Sequence, residues 1–265
     1  CFRPFDIRKI FYAESLIDRH RGRIMKSLID KGNLALITGR STNKKNIVNH
    51  FLVTDCMAEI KSSESTKGSH VFPLKIKSDN KSADNELFAQ DEYNFQTDFI
   101  EYVNNKYSKK IHPELIFYYI YGLLNSRNYL RKYKEQLRLD FPKIYFRKKE
   151  KEFLRISELG KKLTQIQLNK NCNSENFFQG NDLKFIKKKY EIVNEKLFIN
   201  ETSFFIVNND TAKFEIGGYK ILEKYINSRE DFLNESKSIS EINNLIYRIN
   251  ETINIQKIID DEFNF

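Results

Sequence analysis

The chain has 265 residues, of which 40% are apolar, and its formal net charge is +9. This length is enough to bury a sizeable core, so we expect one large globular domain or two small ones. No apolar stretch reaches the roughly 18 to 20 residues of a membrane span, which predicts no membrane partner. The three cysteines are odd in number and far apart, which argues against a disulfide framework or a zinc site and favours a reducing cytoplasm.

The positive charge is concentrated in two blocks of the chain. Residues 1–50 carry 11 Lys and Arg against 4 Asp and Glu, and residues 106–190 carry 21 against 8. The blocks 51–105 and 191–265 are acidic, with 5 against 10 and 8 against 14. A single run such as Lys187-Lys188-Lys189 is typical of a solvated helix face. Because DNA-binding surfaces gather their cations on one side of the molecule, the grouping into blocks favours an anionic partner.

The first region is predicted to be rich in β-structure. Strands at 34–38 and 47–54 flank a polar loop at 39–46. A helix is predicted before them, at 17–28, where apolar and basic residues alternate. A further strand at 70–77 leads into a polar, acidic loop at 78–92.

The second region is predicted to be helical. A helix begins at Pro113, a residue suited to the first helical turn, and runs through Leu137 with helical spacing of its apolar residues. It ends before Phe141-Pro142, because the residue before a proline is disfavoured in the helical conformation. An amphipathic helix at 151–168 follows.

The third region is predicted to combine a hairpin with helices. Residues 191–199 and 203–207 are predicted strands, and Asn208-Asn209-Asp210 is a predicted turn before a strand at 213–216. A short helix is predicted at 219–226. The hairpin therefore leads into a helical end of the chain.

The final helix is predicted to begin at the capping box Ser238-Ile239-Ser240-Glu241. Its isoleucines recur at spacings of three and four residues, at positions 239, 242, 246, 249 and 253. Such a stripe must pack against a partner, which is either the rest of this domain or a neighbouring one.

The sequence predicts no catalytic, cofactor-binding or metal-binding residues. It contains neither a Walker loop nor a Gly-x-Gly-x-x-Gly motif, and none of its four prolines are adjacent. The four histidines are scattered without metal-ligand spacing. Acidic and basic residues at 140–149 are the nearest approach to a metal-dependent nuclease site, but they fall at a predicted helix end.

Four segments carry a family resemblance. They are Arg3-Pro4-Phe5-Asp6-Ile7-Arg8 with Phe11-Tyr12, the helical phrase Tyr119-Ile-Tyr121-Gly-Leu-Leu124-Asn-Ser126, the corner Asp140-Phe-Pro-Lys-Ile144, and Ile216-Gly-Gly-Tyr219. Together they resemble the target recognition domain of type ISP and type IIG single-chain restriction-modification enzymes. Lys143 and Tyr145 stand where that family usually has Arg and Pro, which weakens any argument for a guanidinium contact from this corner.

With the predicted elements, the resemblance implies an α+β fold in which a curved, mostly antiparallel sheet packs with several helices and a C-terminal amphipathic helix. Its possible sub-regions are 1–110, rich in β-structure, 111–190, helical and basic, and 191–265, a hairpin plus helices. The resemblance also implies a C-terminal fragment of a longer polypeptide, in keeping with the opening Cys1. The expected partners are double-stranded DNA and the methyltransferase and nuclease domains of that polypeptide, where S-adenosylmethionine would bind.

The loop at 40–45 is the first candidate for DNA contact. It offers Arg for guanine, Asn for adenine, and Lys and hydroxyl groups for phosphates. Glu201 is a second choice because a carboxylate accepts from cytosine. The residues predicted to bind DNA are Arg40, Ser41, Thr42, Asn43, Lys44, Lys45, Arg21, Arg23, Asn200, Glu201 and Lys213.

Two other functions compete with DNA recognition. A protein-interaction module would dock a partner through the isoleucine stripe of the final helix and through the predicted helix that begins at Pro113, which is rich in aromatic residues and is called the aromatic helix below. An RNA-binding domain is less favoured, because the exposed Lys/Arg-Gly-Phe-x-Phe stacking signature is missing. The Arg-Pro-Phe-Asp segment itself is better explained as a turn, fixed by packing of Phe5 and pairing of Asp6 with Arg8, than as a base contact.

Overall fold

The computed structural model describes residues 1–13, 15–17, 21–29, 32–45, 48–77, 91–170, 172, 175–181, 192–229 and 236–263. Most of the predicted polar loop at 78–92, namely residues 78–90, and the basic run at 187–189 lie outside the described residues.

Helices and strands occur in groups along the chain. The helices are α1 (Gly22–Lys26), α2 (Thr97–Tyr107), α3 (Pro113–Leu124), α4 (Arg127–Lys132), α5 (Lys134–Leu139), α6 (Glu150–Gln167), α7 (Asn209–Ala212), α8 (Ile221–Asn227) and α9 (Ser236–Glu262). The strands are β1 (Ala35–Gly39), β2 (Phe51–Thr54), β3 (Ser69–Pro73), β4 (Lys75–Lys77), β5 (Asp91–Tyr93), β6 (Phe178–Gln179), β7 (Ile192–Val193), β8 (Lys196–Phe198), β9 (Phe204–Ile206), β10 (Glu215–Ile216) and β11 (Tyr219–Lys220). Strands β1 to β5 are followed by α2 to α6 and then by β6 to β9.

The strands form several antiparallel sheets, which confirms the predicted mixed fold class. β1 lies between β2 and β3, with Ala35 opposite Thr54 on one side and Gly39 opposite Ser69 on the other. A four-stranded sheet has the order β6-β9-β8-β7, and β4-β5 and β10-β11 are two-stranded. The alternation of buried and exposed residues in β8 and β9 turns one face of the four-stranded sheet to the core.

The helical core is built on close contact between α3 and α6. A Cβ atom added to Gly160 would lie 1.9 Å from the carbonyl oxygen of Tyr118, and one added to Gly122 would lie 2.7 Å from that of Ile156. The two backbones therefore touch at this pair of glycines, with no room for a side chain on either. Large buried residues such as Tyr119 and Phe153 pack around the contact.

The long C-terminal helix α9 packs against this core, and its isoleucine stripe is buried within the domain from Ile239 to Ile249. The buried guanidinium of Arg248 donates to the carbonyls of Ile166 and Gln167, at 2.7 and 2.6 Å. These carbonyls lie in the last turn of α6, where the backbone leaves carbonyls without helical partners, and that of Ile166 also accepts from the N–H of Asn169 at 3.1 Å. Arg248 of α9 thus helps to cap α6.

The predicted helix at 113–137 is wrong as a single element, because it is divided into α3, α4 and α5. The break is at Ser126, whose hydroxyl accepts from the backbone N–H of Tyr129 at 3.0 Å and donates to Asp260 of α9 at 2.7 Å. Asp260 also accepts from the backbone N–H of Asn128 at 3.1 Å. A tertiary cap from a residue 134 positions away along the chain, invisible to local periodicity, thus starts a new helix.

Other local differences have similar causes. The predicted turn at Asn208–Asp210 is instead the N-terminus of α7, where the Asn208 side chain accepts from the N–H of Thr211 at 2.8 Å. The final helix already includes Ser236, so Ser238 is not its N-cap. Helix α2 and strand β6 were not predicted from the sequence.

Candidate nucleic-acid interface

The predicted DNA-contacting loop follows β1 and leaves the sheet at Gly39. Arg40 and Asn43 are exposed, whereas Thr42 is buried beneath them. The Arg40 Nε lies 2.9 Å from a carboxylate oxygen of Asp140, and both side chains remain more than 60% exposed. The backbone N–H of Thr42 donates to the carbonyl of Arg138 at 3.3 Å. The loop is therefore joined to the end of α5 while part of it faces solvent.

A buried carboxylate, Glu64, fixes this loop from below. It accepts from the Thr42 hydroxyl at 3.2 Å, and from the N–H and hydroxyl of Thr66 at 2.8 and 2.9 Å. It also accepts from the backbone N–H of Lys67. A buried charge is tolerated only when it is well hydrogen-bonded, so these donors must stay in place around it. Glu64 thereby holds residues 62–67 against residues 40–45.

A third loop, the β10–β11 turn, packs on residues 62–67. Gly217 has φ +56°, and its carbonyl accepts from the N–H of Ser65 at 2.9 Å. A Cβ atom there would lie 1.7 Å from the carbonyl oxygen of Ser63, so only glycine fits. Gly218 has φ +87°, which other residues rarely adopt, and the Ser65 hydroxyl and the Lys44 side chain lie close to where its Cβ would be. We call residues 40–45, 62–67 and 217–218 the loop cluster.

His50 lies at the base of the loop cluster. Its ring is buried and stacks on Phe51, with 4.7 Å between the ring centroids. Burial lowers its pKa to about 4, although the nearby Glu64 carboxylate and the backbone of Gly39 partly oppose the shift. The imidazole is therefore neutral at pH 7, and its Nδ1 has no hydrogen-bond partner among the described residues.

Beside the loop cluster, the chain from Asp140 to Lys149 forms neither helix nor strand, and we call it the basic strap. Three tyrosine hydroxyls of the helical core donate to alternate carbonyls of the strap: Tyr129 to Lys143 at 2.6 Å, Tyr119 to Tyr145 at 2.7 Å and Tyr107 to Arg147 at 2.9 Å. We call these three residues the tyrosine ladder.

The tyrosine ladder sets which way the strap faces. Burial raises the pKa of each of its three hydroxyls, so these groups stay protonated and act as donors. With alternate carbonyls directed inward, Ile144 and Phe146 pack against the core, while Lys143 and Tyr145 are exposed. The strap thus presents cationic side chains outward along a backbone held by the core.

The Arg-Pro-Phe-Asp segment has the structural role that the sequence favoured. Phe5 is buried with φ +61°, and the buried Asp6 accepts from Arg8 Nε at 3.1 Å and from Arg229 at 2.6 Å. The buried Arg248 guanidinium lies 4.7 Å from the Phe5 ring centroid. This segment therefore fastens the start of the chain to the region of α8 and α9.

The other predicted DNA contacts are distributed over separate parts of the molecule. Arg21 and Arg23 are exposed at α1. The end of this helix is tied to the sheet by the Asn33 amide, which donates to the Ser27 carbonyl at 2.8 Å. Asn33 precedes β1, whereas the loop cluster follows it. This hydrogen bond thus fixes α1 at the end of β1 opposite the loop cluster.

Asn200 and Glu201 lie in the β8–β9 turn. The Asn200 side chain is buried, and its oxygen accepts from the backbone N–H groups of Thr202 and Ser203 at 2.9 and 2.8 Å, so it shapes the turn. Glu201 is exposed at the tip, and Lys213 is exposed just after α7. Within the described part of the chain, neither side chain forms a hydrogen bond or ion pair with the loop cluster. Their DNA contact stays a prediction.

The sequence did not single out several residues that build the loop cluster. Glu64 is one acid among ten in an acidic block, and no local pattern marks it as buried. Gly217-Gly218 entered only as part of a family segment, although two adjacent glycines are a usable signal of close backbone approach.

Among the described residues, no group of three or more His, Cys, Asp and Glu is arranged to hold a metal ion. No helix in the described part of the chain is long and apolar enough to cross a membrane.

Comparison with solved structures identifies similar folds. The ATP-dependent Type ISP restriction-modification enzyme LlaBIII bound to DNA matches with a TM-score of 0.72 and 21% identity, over 98% of this chain and 18% of that one. The DrdV–DNA complex matches with a TM-score of 0.75 and 17% identity, over 97% and 27%. A nuclease-deletion mutant of the Type ISP enzyme LlaGI, in complex with a DNA substrate mimic, matches with a TM-score of 0.66 and 17% identity, over 98% and 24%.

The present chain thus spans only 18% to 27% of the length of these proteins. At such low identity the structural likeness shows a shared fold. A search of curated proteins finds no significant match. Residues 1–257, however, match the family described as the Type ISP C-terminal specificity domain. Because that match covers nearly the whole sequence, this chain belongs to the Type ISP C-terminal specificity domain family.

Proposed function

We propose that this chain recognises a specific sequence in double-stranded DNA for a restriction-modification enzyme. The observation that carries the proposal is the loop cluster, in which loops from three distant parts of the chain meet around the buried Glu64 and expose Arg40, Asn43 and Lys45. Family membership and the DNA complexes of proteins with this fold support it.

The exposed side chains suit the edges of base pairs. Arginine forms paired hydrogen bonds with guanine, asparagine does so with adenine, and lysine contacts phosphates. Arg40 is held by Asp140 in an exposed ion pair, which is a weak interaction. Its guanidinium can therefore exchange the carboxylate for DNA at little cost. The basic strap, with Lys143, Lys148 and Lys149, supplies further cations for the DNA backbone.

In the parent enzyme, recognition by this chain would select the sites that other domains modify or cut. We propose that a methyltransferase domain of the same polypeptide, carrying S-adenosylmethionine, methylates adenine at N6, and that a nuclease domain cleaves the DNA. The chain alone should then have neither activity. Methyl transfer or cleavage by the purified chain supplied with S-adenosylmethionine, Mg²⁺ and DNA would contradict this assignment.

The proposal is tested by selecting bound duplexes from a random DNA pool at moderate salt and sequencing them. We expect enrichment of one asymmetric motif of several base pairs. Binding through about six phosphates should weaken on the order of a thousandfold between 50 and 200 mM salt. Absence of DNA binding at 50 mM salt would refute the proposal.

Variants of the loop cluster separate base contacts from phosphate contacts. Arg40→Gln should relax the preference at one base pair, at a cost of about 1 to 3 kcal/mol in discrimination. Lys45→Gln should weaken binding to all sequences and reduce the salt dependence. Lys257→Gln makes the same charge change on the exposed surface of α9 and serves as the control. Equal effects of all three substitutions would argue against a role for the loop cluster.

No observation favours the alternative of a protein-interaction module built on the isoleucine stripe or the aromatic helix. Ile242 and Ile246 of α9 and Tyr119 of α3 are all buried within the domain. These side chains already have their packing partners. The two surfaces on which that alternative relied are therefore part of the core.

A further inference from the structure

Leu139 is an exposed aliphatic side chain at an unusual position. It is the last residue of α5, and 78% of its surface is accessible to solvent. Two residues later, the ring of Phe141 makes edge contacts with His70 and Phe72 of β3, with centroid distances of 5.1 and 5.6 Å. Phe72 is itself 41% exposed. Leu139 therefore lies two residues from an aromatic cluster on β3 that is itself partly exposed.

Leu139 is fixed relative to the loop cluster on both sides. The residue before it, Arg138, accepts at its carbonyl from the N–H of Thr42, and the residue after it, Asp140, pairs with Arg40 at 2.9 Å. Asp140 also accepts from the N–H of Phe141 at 2.9 Å, which closes the corner after the helix. The backbone that carries Leu139 is thus bonded to the loop that we propose reads DNA.

The surroundings of Leu139 are cationic. Arg40, Arg138 and Lys143 lie around the corner. The hydrogen bond from Arg40 is the main cause that lowers the pKa of the Asp140 carboxyl, and the N–H of Phe141 and the charges of Arg40 and Lys143 add to the shift. Glu135 is the other acid nearby, and it pairs with Arg138 at 2.9 Å. Three cations against two acids leave a net positive charge beside the exposed Leu139. This suits a polyanion with apolar bases inside it, because cations hold the phosphates while the apolar side chain reaches the base stack.

We propose that Leu139 is an apolar wedge that packs into a base step of duplex DNA at the edge of the recognition sequence. This inference rests on the proposed function and assigns an additional contact to it. Partial unstacking of a step is easiest at pyrimidine–purine steps, so the wedge favours such a step without any hydrogen bond to its bases. Leu139 is therefore a specificity-determining residue that acts through DNA deformability.

The test uses the purified chain and its selected duplex with 2-aminopurine placed at successive positions, because the fluorescence of this base rises when it is unstacked. Binding of the wild-type chain should raise the fluorescence at one step. Leu139→Ala should abolish that rise and weaken binding about tenfold, the loss expected when several apolar methyl and methylene groups no longer pack. Leu139→Met should keep both. Val193→Ala, which removes an exposed aliphatic side chain from β7, should change neither.

The outcomes distinguish the two proposals. If the wild-type chain binds its selected duplex without any rise, or if Leu139→Ala keeps the rise, the wedge is refuted while DNA recognition stands; Leu139 would then be free to contact another protein domain. If the wild-type chain binds no duplex at all, the proposed function fails and the wedge with it. Because Leu139 is exposed, Leu139→Ala should unfold at the same urea concentration as the wild type, which excludes loss of folding as the cause.

Discussion

The helical core and the loop cluster are held together by different interactions. In the core, α3 and α6 touch at Gly122 and Gly160, where an added Cβ atom would meet backbone within 2.7 and 1.9 Å. In the loop cluster, a buried carboxylate gathers hydrogen bonds from Thr42, Thr66 and Lys67. Shape complementarity fixes the first region, and polar contacts below an exposed surface fix the second.

This difference separates stability from recognition. A substitution in the core changes the packing of the whole domain, because no neighbour can move without displacing another. In the loop cluster, Thr42 and Glu64 point inward and hold the backbone, while Arg40 and Asn43 point outward. The outward residues are free to change without loss of the fold. A recognition domain needs this arrangement if new DNA sequences are to be read on a constant scaffold.

In the helical core, the largest loss of stability is expected from a substitution at Gly160. Gly160→Val forces a branched side chain against the carbonyl of Tyr118, so we expect a loss of about 3 kcal/mol or more in the free energy of unfolding. Lys161→Ala changes the neighbouring exposed position of the same helix and should have little effect. The measurement is urea unfolding followed by circular dichroism. Equal midpoints for the two variants would show that the helices separate without cost.

The base of the loop cluster should respond to pH through His50. Its pKa in the folded chain is about 4, below the ordinary value of 6.5, so between these values the unfolded chain binds a proton that the folded chain excludes. The contribution of His50 to stability is therefore complete above about pH 6.5 and is lost as the pH falls towards 4. At pH 5 the loss should be on the order of 2 kcal/mol.

Urea unfolding at pH 5 and pH 7 tests this effect, with His50→Gln as the matched variant. The variant cannot titrate, so its stability should fall less than that of the wild type over this range. Between pH 7 and pH 8 the two proteins should keep a constant difference, which is the internal control. Parallel losses in both proteins below pH 6.5 would show that His50 is not the group responsible.

The tyrosine ladder connects the helical core to the basic strap beside the loop cluster, and Tyr119 makes two of its hydrogen bonds. Its hydroxyl donates to the carbonyl of Tyr145 at 2.7 Å and accepts from the N–H of Arg147 at 3.1 Å. Tyr119→Phe leaves both strap groups without this partner, so we expect a loss of about 1 to 2 kcal/mol in stability. Tyr102→Phe, at a ring more than half exposed, is the control.

Tyr119→Phe also tests whether the helical core holds the backbone of the strap in place. If the ladder positions the basic strap, hydrogen exchange at the amide of Arg147 should accelerate in Tyr119→Phe and stay unchanged in Tyr102→Phe. A stability loss without faster exchange at this amide would mean that Tyr119 stabilises the core alone.

The sequence predicted the parts of this molecule that depend on local pattern. The strands β1 and β2, the amphipathic α6 and the isoleucine stripe of α9 were all recognisable from the spacing of apolar residues. The loop at 40–45 was recognisable as a polar connection between strands. The short motifs also suggested the family, and the match over residues 1–257 confirms it.

The rest could not be predicted, because it depends on contacts between residues far apart in the chain. The break after α3 is fixed by Asp260, and the approach of the three loops depends on Glu64 and on Gly217. The strap could not be recognised as part of a sheet, because tyrosine hydroxyls, and not a paired strand, donate to its carbonyls at residues 143, 145 and 147. These features depend on tertiary contacts, which leave no local periodicity in the sequence.

The smallest effect on stability is expected at the outermost residue of the loop cluster. Asn43 is exposed, and Asn43→Ala should change the free energy of unfolding by less than about 0.5 kcal/mol. If its amide reads an adenine, the same variant should lose about 1 to 3 kcal/mol of discrimination at one base pair while binding to other sequences is kept. Competition between the selected duplex and single-base variants measures that discrimination.

Thr42→Ala is the inward-facing counterpart, because it removes a hydroxyl that donates to Glu64, and it should lower stability and binding together. If Asn43→Ala also lowered both, the outward side chains would be holding the scaffold as well, and recognition could not vary independently of the fold.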